Sequence, residues 1–336
     1  MGDLESALLE VIGARCGRTD LAFAQRPAPV GGGYWAEIFA FELRDPPRGF
    51  RGELILRRMP DAERARRETA VQTAVAELGF PTPRVRAAGG EGESLALAFS
   101  IMDRVAGTTF DEARGFGARV RRSAGLARLL AEAQSRLHAL PAGSVAARLA
   151  QRGVDPAALS LDALLEDLAR LVRGAGSPEL GRALAWLVEG RPAGGDAVLC
   201  HGDIHPNNLL VTSGGRFSLI DWTNARFAHP ELDVAFTSEL LELRPLRTPP
   251  GAGALAGLLL RGIAHRSRAA YRGPFPLDPA RLDWYRALYR LQLLARVEAA
   301  AAALPGAPFM PAAHPYRMVA PRARARLRAV SRALRV

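Results

Sequence analysis

His201-Gly202-Asp203-Ile204-His205-Pro206-Asn207-Asn208 (HGDIHPNN) is a polar run set between two short apolar stretches, Leu199-Cys200 and Leu209-Leu210-Val211. A third apolar stretch, within residues 216–221, ends on Asp221, thirteen residues after Asn208. Short strands separated by polar loops place Asp203, Asn208 and Asp221 on loops at neighbouring strand ends. Two carboxylates and one amide oxygen make a hard, oxygen-only donor set. That set suits Mg²⁺, which keeps waters and phosphate oxygens as its remaining ligands.

Upstream of this run the chain changes character once. Residues 4–15 carry apolar positions at helical spacing, and Pro27–Gly33 reads as a Pro/Gly-rich turn. Residues 34–43 and 52–59 read as paired strands, residues 61–78 as a helix that opens on Asp61 and stops at Gly79, and residues 94–102 as a further strand. After Gly107 helical periodicity dominates: 117–140, 157–173, 178–189, 253–271, 280–304 and an Arg-rich tail from 322 to 336. In that tail Ala323, Leu327, Val330 and Leu334 fall on one stripe that the arginines avoid, which predicts a helix docked on the body with its arginines in solvent. The expected fold class is α+β in two lobes, a strand-rich 1–105 and a helical 106–336, with a ligand cleft between them.

Composition removes several chemistries. None of the 45 basic residues is lysine. A Walker A loop and Schiff-base or pyridoxal chemistry both need a lysine, so both are excluded. Two cysteines give neither a disulfide framework nor zinc-ligand spacing, which fits a reduced, cytoplasmic setting. The apolar runs are far shorter than the roughly 20 residues of a membrane span. The formal charge of +11 favours anionic partners, but no basic motif interleaved with aromatics points to nucleic acid.

The HGDIHPNN run followed by Asp221-Trp222 resembles the catalytic loop and metal-binding segment of the aminoglycoside phosphotransferase and choline kinase superfamily, itself a variant of the protein-kinase pattern. The resemblance covers residues from about 28 to 240 and implies a protein-kinase-like bilobal fold. It implies that Gly31, Gly32 and Gly33 form the glycine-rich turn, and that Arg57, in the strand Leu54–Arg57, takes the place of the nucleotide-binding lysine. Glu68 would pair with that cation, and Asp103, Arg104 and Val105 would form the segment that meets the base. Asp203 would orient the acceptor hydroxyl and take its proton, with His205 beside it in the position of a kinase lysine. Asn208 and Asp221 would hold Mg²⁺, and buried Asp233 and His201 would brace the loop. The implied cofactors are ATP, with GTP as the alternative, and Mg²⁺.

Two departures stand out. Arg57 keeps the charge of a lysine but not its shape, and Ala228-His229 stands where the family carries Gly-Asp. The activity implied is transfer of a γ-phosphoryl group to a hydroxyl of a small molecule. Nucleotide binding without turnover, as in a pseudokinase, and modification of an aminoglycoside or macrolide antibiotic are the alternatives. From Arg244 to Arg290 the only carboxylates are Asp278 and Asp283, and residues 305–336 carry none. Such a surface favours a neutral or anionic acceptor over a polycation.

Overall fold

In the computed structural model, residues 2–31, 36–90, 92–110, 116–243, 253–304, 310 and 314–333 are described. The chain divides into two compact units. The first comprises Met1–Thr108, Ala147–Val154 and Leu210–Asn224; the second comprises Thr109–Ala146, Asp155–Leu209 and Ala225–Val336.

The first unit is built on a five-stranded antiparallel sheet. Helix α1 (Gly2–Cys16) leads into β1 (Ala22–Pro29), β2 (Glu37–Arg44) and β3 (Glu53–Met59). Helix α2 (Ala62–Glu77) follows, then β4 (Val85–Gly89) and β5 (Ala98–Asp103), and the strand order is β1-β2-β3-β5-β4. Strand β3 pairs with β2 (Arg57 opposite Ile38) and with β5 (Arg57 opposite Ser100), so Arg57 sits mid-sheet. Alternation along β3 sends Leu54 and Leu56 into a core with Leu8, Ile12, Phe41, Phe99 and Ile101. Ile55 and Arg57 therefore share the other face.

Helix α2 starts where the sequence predicts. The Asp61 side chain accepts the Arg64 N–H as an N-cap, and Gly79 beyond the last turn has φ 82°. Two strands depart from the expectation. The stretch expected as a Pro/Gly turn belongs in part to β1, and β4 occupies residues with no strand signal. Both lie at the sheet's edges, where Pro27, Pro29 and a short span are tolerated because fewer ladder bonds are needed.

The second unit is helical. It contains α3 (Phe116–His138), which ends just before Pro141, and the start of α4 (Ala142–Gln151), a helix that the sequence reading did not include. Helices α5 (Leu161–Ala175) and α6 (Pro178–Glu189) precede β6 (Val198–Cys200). Strand β6 pairs with β9 (Arg226–Ala228), whereas β7 (Leu209–Val211) pairs with β8 (Phe217–Leu219) in the stretch that from Leu210 to Asn224 belongs to the first unit. Helices α7 (Glu231–Leu243), α8 (Gly253–Ala270), α9 (Pro279–Ala301) and α10 (Pro315–Ala333) complete the chain. The core of this unit gathers Leu161, Leu168, Leu187, Leu232, Phe236, Trp284, Leu288 and Leu294. Among the described residues, no helix is long and apolar enough to cross a membrane.

The tail docks through the stripe read from the sequence: Ala323 and Leu327 are buried in that core. Of its arginines, Arg322 and Arg328 are exposed as expected, but Arg324 and Arg326 are half-buried, and three of these four make ion pairs. Arg324 pairs with Glu179 and Glu298, Arg326 with Glu239 and Glu242, and Arg328 with Glu179. The stripe predicts which face docks but carries no information about acidic groups on the elements it docks against. Val330 and Leu334 fall outside the residues whose side chains are described.

Candidate active site

The first unit assembles a charged cluster from three separate stretches of sequence. Arg57 Nη1 lies 3.3 Å from Glu68 Oε1, and Arg57 Nη2 lies 3.4 Å from Asp221 Oδ1. Thr223 Oγ1 joins them, contacting Glu68 Oε2 at 3.3 Å, Arg57 Nη2 at 3.3 Å and the Asp221 carboxylate. Burial pulls the Arg57 guanidinium down, but Glu68 and Asp221 outweigh it and hold it above its ordinary value. Burial pushes Glu68 up to about 7 against the pull of Arg57. A guanidinium between two carboxylates, one buried and one 31% exposed, is fixed in position while part of its surroundings stays open to ligand.

Asp221 adopts φ 69°, an unusual conformation for a residue with a side chain. It is held there by its neighbours. Trp222, 1% exposed, packs edge-on to Phe80 and donates its indole N–H to Thr82 Oγ1 at 2.9 Å, and Thr82 in turn donates to the Leu219 carbonyl at 2.8 Å. The Leu219 N–H donates to the Pro81 carbonyl at 2.9 Å. The segment 219–222 is thus tied to the turn at 81–82.

At the end of β5, the Asp103 side chain takes a bidentate pair from Arg86 (2.6 and 2.8 Å). Arg104 donates its backbone N–H to the Glu53 carbonyl (2.9 Å) and its side chain to the Glu53 carboxylate (2.9 Å). These side chains stitch strand ends together, and the Val105 N–H has no backbone acceptor among the described residues. Gly107 (φ 155°) lies against Leu210 and Val211, where an added Cβ would come within 3.2 Å of the Val211 nitrogen. Gly31 is exposed with open space around it. Gly32 and Gly33 lie outside the described residues.

The second unit carries the HGDIHPNN loop. Asp233, wholly buried on α7, accepts the Gly202 N–H at 2.7 Å and the His201 N–H at 2.9 Å. His138 Nε2 lies 3.1 Å from the same carboxylate, and Tyr271 lies 2.8 Å from His138 Nδ1. Thr237, one turn on from Asp233, donates to the Ile204 carbonyl at 2.7 Å, and Gln134 Nε2 donates to Thr237 Oγ1 at 2.9 Å. The backbone on both sides of Asp203 is therefore clamped from α7. His138, Tyr271, Thr237 and Gln134 carry no local motif, so the sequence reading missed them.

His138, Cys200 and Asp233 also come together closely enough to resemble a metal-ligand group. Their hydrogen bonds argue for a brace instead. Burial pushes the Cys200 thiol far up, and the protonated thiol points at the His229 carbonyl, 3.4 Å away. Both Asp233 oxygens already accept backbone N–H groups.

Within the loop, Asn208 Nδ2 donates to the Asp203 carbonyl at 3.0 Å, so its amide oxygen is the group not used in that bond. His205 Nδ1 accepts the Asn207 N–H at 3.1 Å, so its proton sits on Nε2, which lies 3.7 Å from Asp203 Oδ1. The Asp203 and His205 side chains are 19% and 23% exposed, open enough to meet a ligand. The structure thus gathers Arg57, Glu68 and Asp221 in one unit, and Asp203, His205 and Asn208 in the other.

Comparisons with known proteins fit this geometry. The sequence profile of the phosphotransferase enzyme family (APH) matches residues 28–273. Among curated protein sequences none matches. Three solved structures resemble the chain. An aminoglycoside-3'-phosphotransferase of type VIII shares 21% identity with a TM-score of 0.56, over 87% of this chain and all of that one. A thermostable mutant of the aminoglycoside phosphotransferase APH(4)-Ia, in ternary complex with AMP-PNP and hygromycin B, shares 17% with a TM-score of 0.59, over 100% of this chain and 99% of that one. A mutant aminoglycoside 2'-phosphotransferase-IIIa in complex with GDP shares 15% with a TM-score of 0.55, over 97% and 98%. At such identities these likenesses establish the kinase-like fold. The profile match, which spans most of the chain and contains every charged residue of both clusters, establishes that this protein belongs to the phosphotransferase enzyme family.

Proposed function

We propose that the protein transfers the γ-phosphoryl group of a purine nucleoside triphosphate to a hydroxyl of a small neutral or anionic molecule. The observation that carries this reading is the Arg57–Glu68–Asp221 cluster. Arg57 and Asp221 stand 164 positions apart in the chain, yet a nucleotide-type cation, its acidic partner and a metal-type carboxylate meet within 3.4 Å.

The residues suit the groups the reaction needs. Asn208 and Asp221 offer oxygen donors only, the chemistry Mg²⁺ selects. When bound, the metal ion neutralises charge on the β- and γ-phosphates. Arg57, fixed by Glu68 and Asp221, holds phosphate oxygens; its Nε is buried and has no partner in the structure. Asp203 orients the acceptor hydroxyl and receives its proton at a carboxylate oxygen, and His205 Nε2–H faces the same carboxylate. Asp233 and Thr237 hold the backbone on either side of Asp203. ATP is the expected donor. GTP is the alternative, since relatives in fold are solved with AMP-PNP and with GDP.

The antibiotic reading rests on fold relatives that act on aminoglycosides. In this chain no carboxylate lies between Glu242 and Asp278, which leaves little to attract a polycation. The deciding experiment is a Mg²⁺-dependent phosphoryl-transfer screen with ATP and GTP over metabolite hydroxyls, aminoglycosides and macrolides. Transfer to a neutral or anionic hydroxyl supports the reading. Efficient transfer to an aminoglycoside overturns the choice of acceptor, and nucleotide binding without any turnover points to a pseudokinase.

A further inference from the structure

Helices α7, α8 and α9 of the second unit line an open cavity of about 160 Å³. Its lining includes Ser238 and Glu242 from α7, Arg261, His265 and Arg268 from α8, and Arg286 from α9. Positions 261, 265 and 268 follow the i, i+4, i+7 spacing of one helical face, so α8 turns a basic stripe to the cavity.

The charges here do not balance. Arg286 reaches Glu242 at 2.9 Å and Glu239 at 3.3 Å, and only approaches Asp283 at 3.8 Å. Arg290 takes Glu239 bidentately, and Arg326 lies 3.1 Å from Glu242. Arg261 and Arg268 have no carboxylate partner among the described residues. Five arginines therefore stand against three carboxylates, and the two surplus cations both belong to the α8 face. The contrast with α10 is telling, since Arg324, Arg326 and Arg328 all find carboxylates. No Asp or Glu occurs anywhere between Glu242 and Asp278, so the neighbouring sequence cannot supply the missing charge.

We propose that this cavity binds an oxyanion, a phosphate or carboxylate, carried by the acceptor. Guanidinium forks bind both groups through paired N–H donors. The volume falls below the roughly 300–1,000 Å³ of sites that engulf a whole ligand, so the cavity takes a headgroup and leaves the rest of the molecule outside. Its position on α7 links it to the chemistry. Thr237, which holds the Ile204 carbonyl beside Asp203, immediately precedes Ser238, and Glu242 lies roughly 7.5 Å further along the helix. The assignment of the anion to the acceptor rests on the phosphotransfer reading; the existence of the anion site does not.

The test is calorimetric titration of the full chain, free of nucleotide, with inorganic phosphate and with succinate. One saturable site for at least one of them is expected. Arg261→Gln and Arg268→Gln should each weaken it roughly tenfold, whereas Arg266→Gln and Arg57→Ala should leave it unchanged. Among the described residues Arg261 and Arg268 make no ion pair, so both variants should keep the wild-type melting temperature; were either to unfold, the wild-type titration and the other variant still decide. No saturable binding of either anion overturns the proposal, as does binding that follows Arg57 instead of the α8 arginines. Anion binding without phosphoryl transfer sinks the phosphotransfer reading while keeping the site. Efficient transfer to a neutral acceptor without anion binding sinks only the site.

Discussion

The Asp233 carboxylate accepts the backbone N–H of Gly202 at 2.7 Å, although 31 residues separate the two. The same carboxylate holds the His201 N–H and faces His138, so one buried charge organises the segment leading into Asp203. Removing a wholly buried, fully engaged carboxylate strands its partners. Asp233→Ala should cost about 3–5 kcal/mol in urea denaturation. Tyr271→Phe, which only deprives His138 Nδ1 of its partner, should cost about 1 kcal/mol. Equal effects from both would mean that Asp233 does not organise the loop.

Glu68 has its pKa raised from 4.5 to about 7 by burial. In the folded state it therefore binds its proton more tightly than in the unfolded chain. Its favourable contribution is complete below pH 4.5 and is lost as pH rises through about 7. Glu68→Gln does not titrate, so the stability difference should move in its favour by up to roughly 3 kcal/mol between pH 4.5 and 8. Function should run the other way, because the ion pair with Arg57 needs ionised Glu68. Wild-type nucleotide affinity should rise through pH 7, and the Glu68→Gln profile should be flat there. Parallel profiles would remove Glu68 from the nucleotide site.

Arg57 and Arg58 are neighbours on β3 with opposite orientations: Arg57 faces Glu68 and Asp221, and Arg58 pairs with Glu37. Arg57→Ala should weaken Mg²⁺-nucleotide binding by about ten- to a hundredfold, the range for charge-assisted hydrogen bonds. Arg58→Ala should change it little. Calorimetry on both variants gives the ranking, and the reverse order would contradict the assignment.

The C-terminal helix contributes through its apolar stripe. Leu327, 2% exposed, should cost about 2–4 kcal/mol when replaced by alanine. Exposed Arg322→Ala should stay within about 0.5 kcal/mol. Thermal and chemical melts of both variants measure the difference.

Sequence made parts of this structure legible for physical reasons. Strand β3 shows through because Leu54 and Leu56 alternate with Ile55 and Arg57, and α2 because Asp61 and Gly79 mark its ends. Strands β1 and β4 are silent because edge strands tolerate prolines and short lengths that a central strand does not. At the candidate site, the residues proposed to do chemistry cluster in short motifs, so Asp203, Asn208 and Asp221 stand out in the chain. The residues that position them do not. His138 and Tyr271 reach Asp233 from other helices, and the pairing that selects them exists only after folding. Thr223, two residues after Asp221, is near enough to the motif to be suspected but has no distinctive type. The arginines of α10 read as solvated because their carboxylate partners lie on α6, α7 and α9.

The measurement that tests the account most directly is transfer of the γ-phosphoryl group from Mg²⁺-bound ATP or GTP to members of the hydroxyl panel, followed by phosphorus NMR in wild type and in Asp203→Asn. The account predicts a phosphorylated product with the wild type. With Asp203→Asn it predicts unchanged nucleotide affinity and a rate lower by about two to four orders of magnitude, the range for a lost general base. Transfer by Asp203→Asn at the wild-type rate, or a wild-type chain that neither binds the Mg²⁺-nucleotide nor phosphorylates any member of the panel, would contradict it.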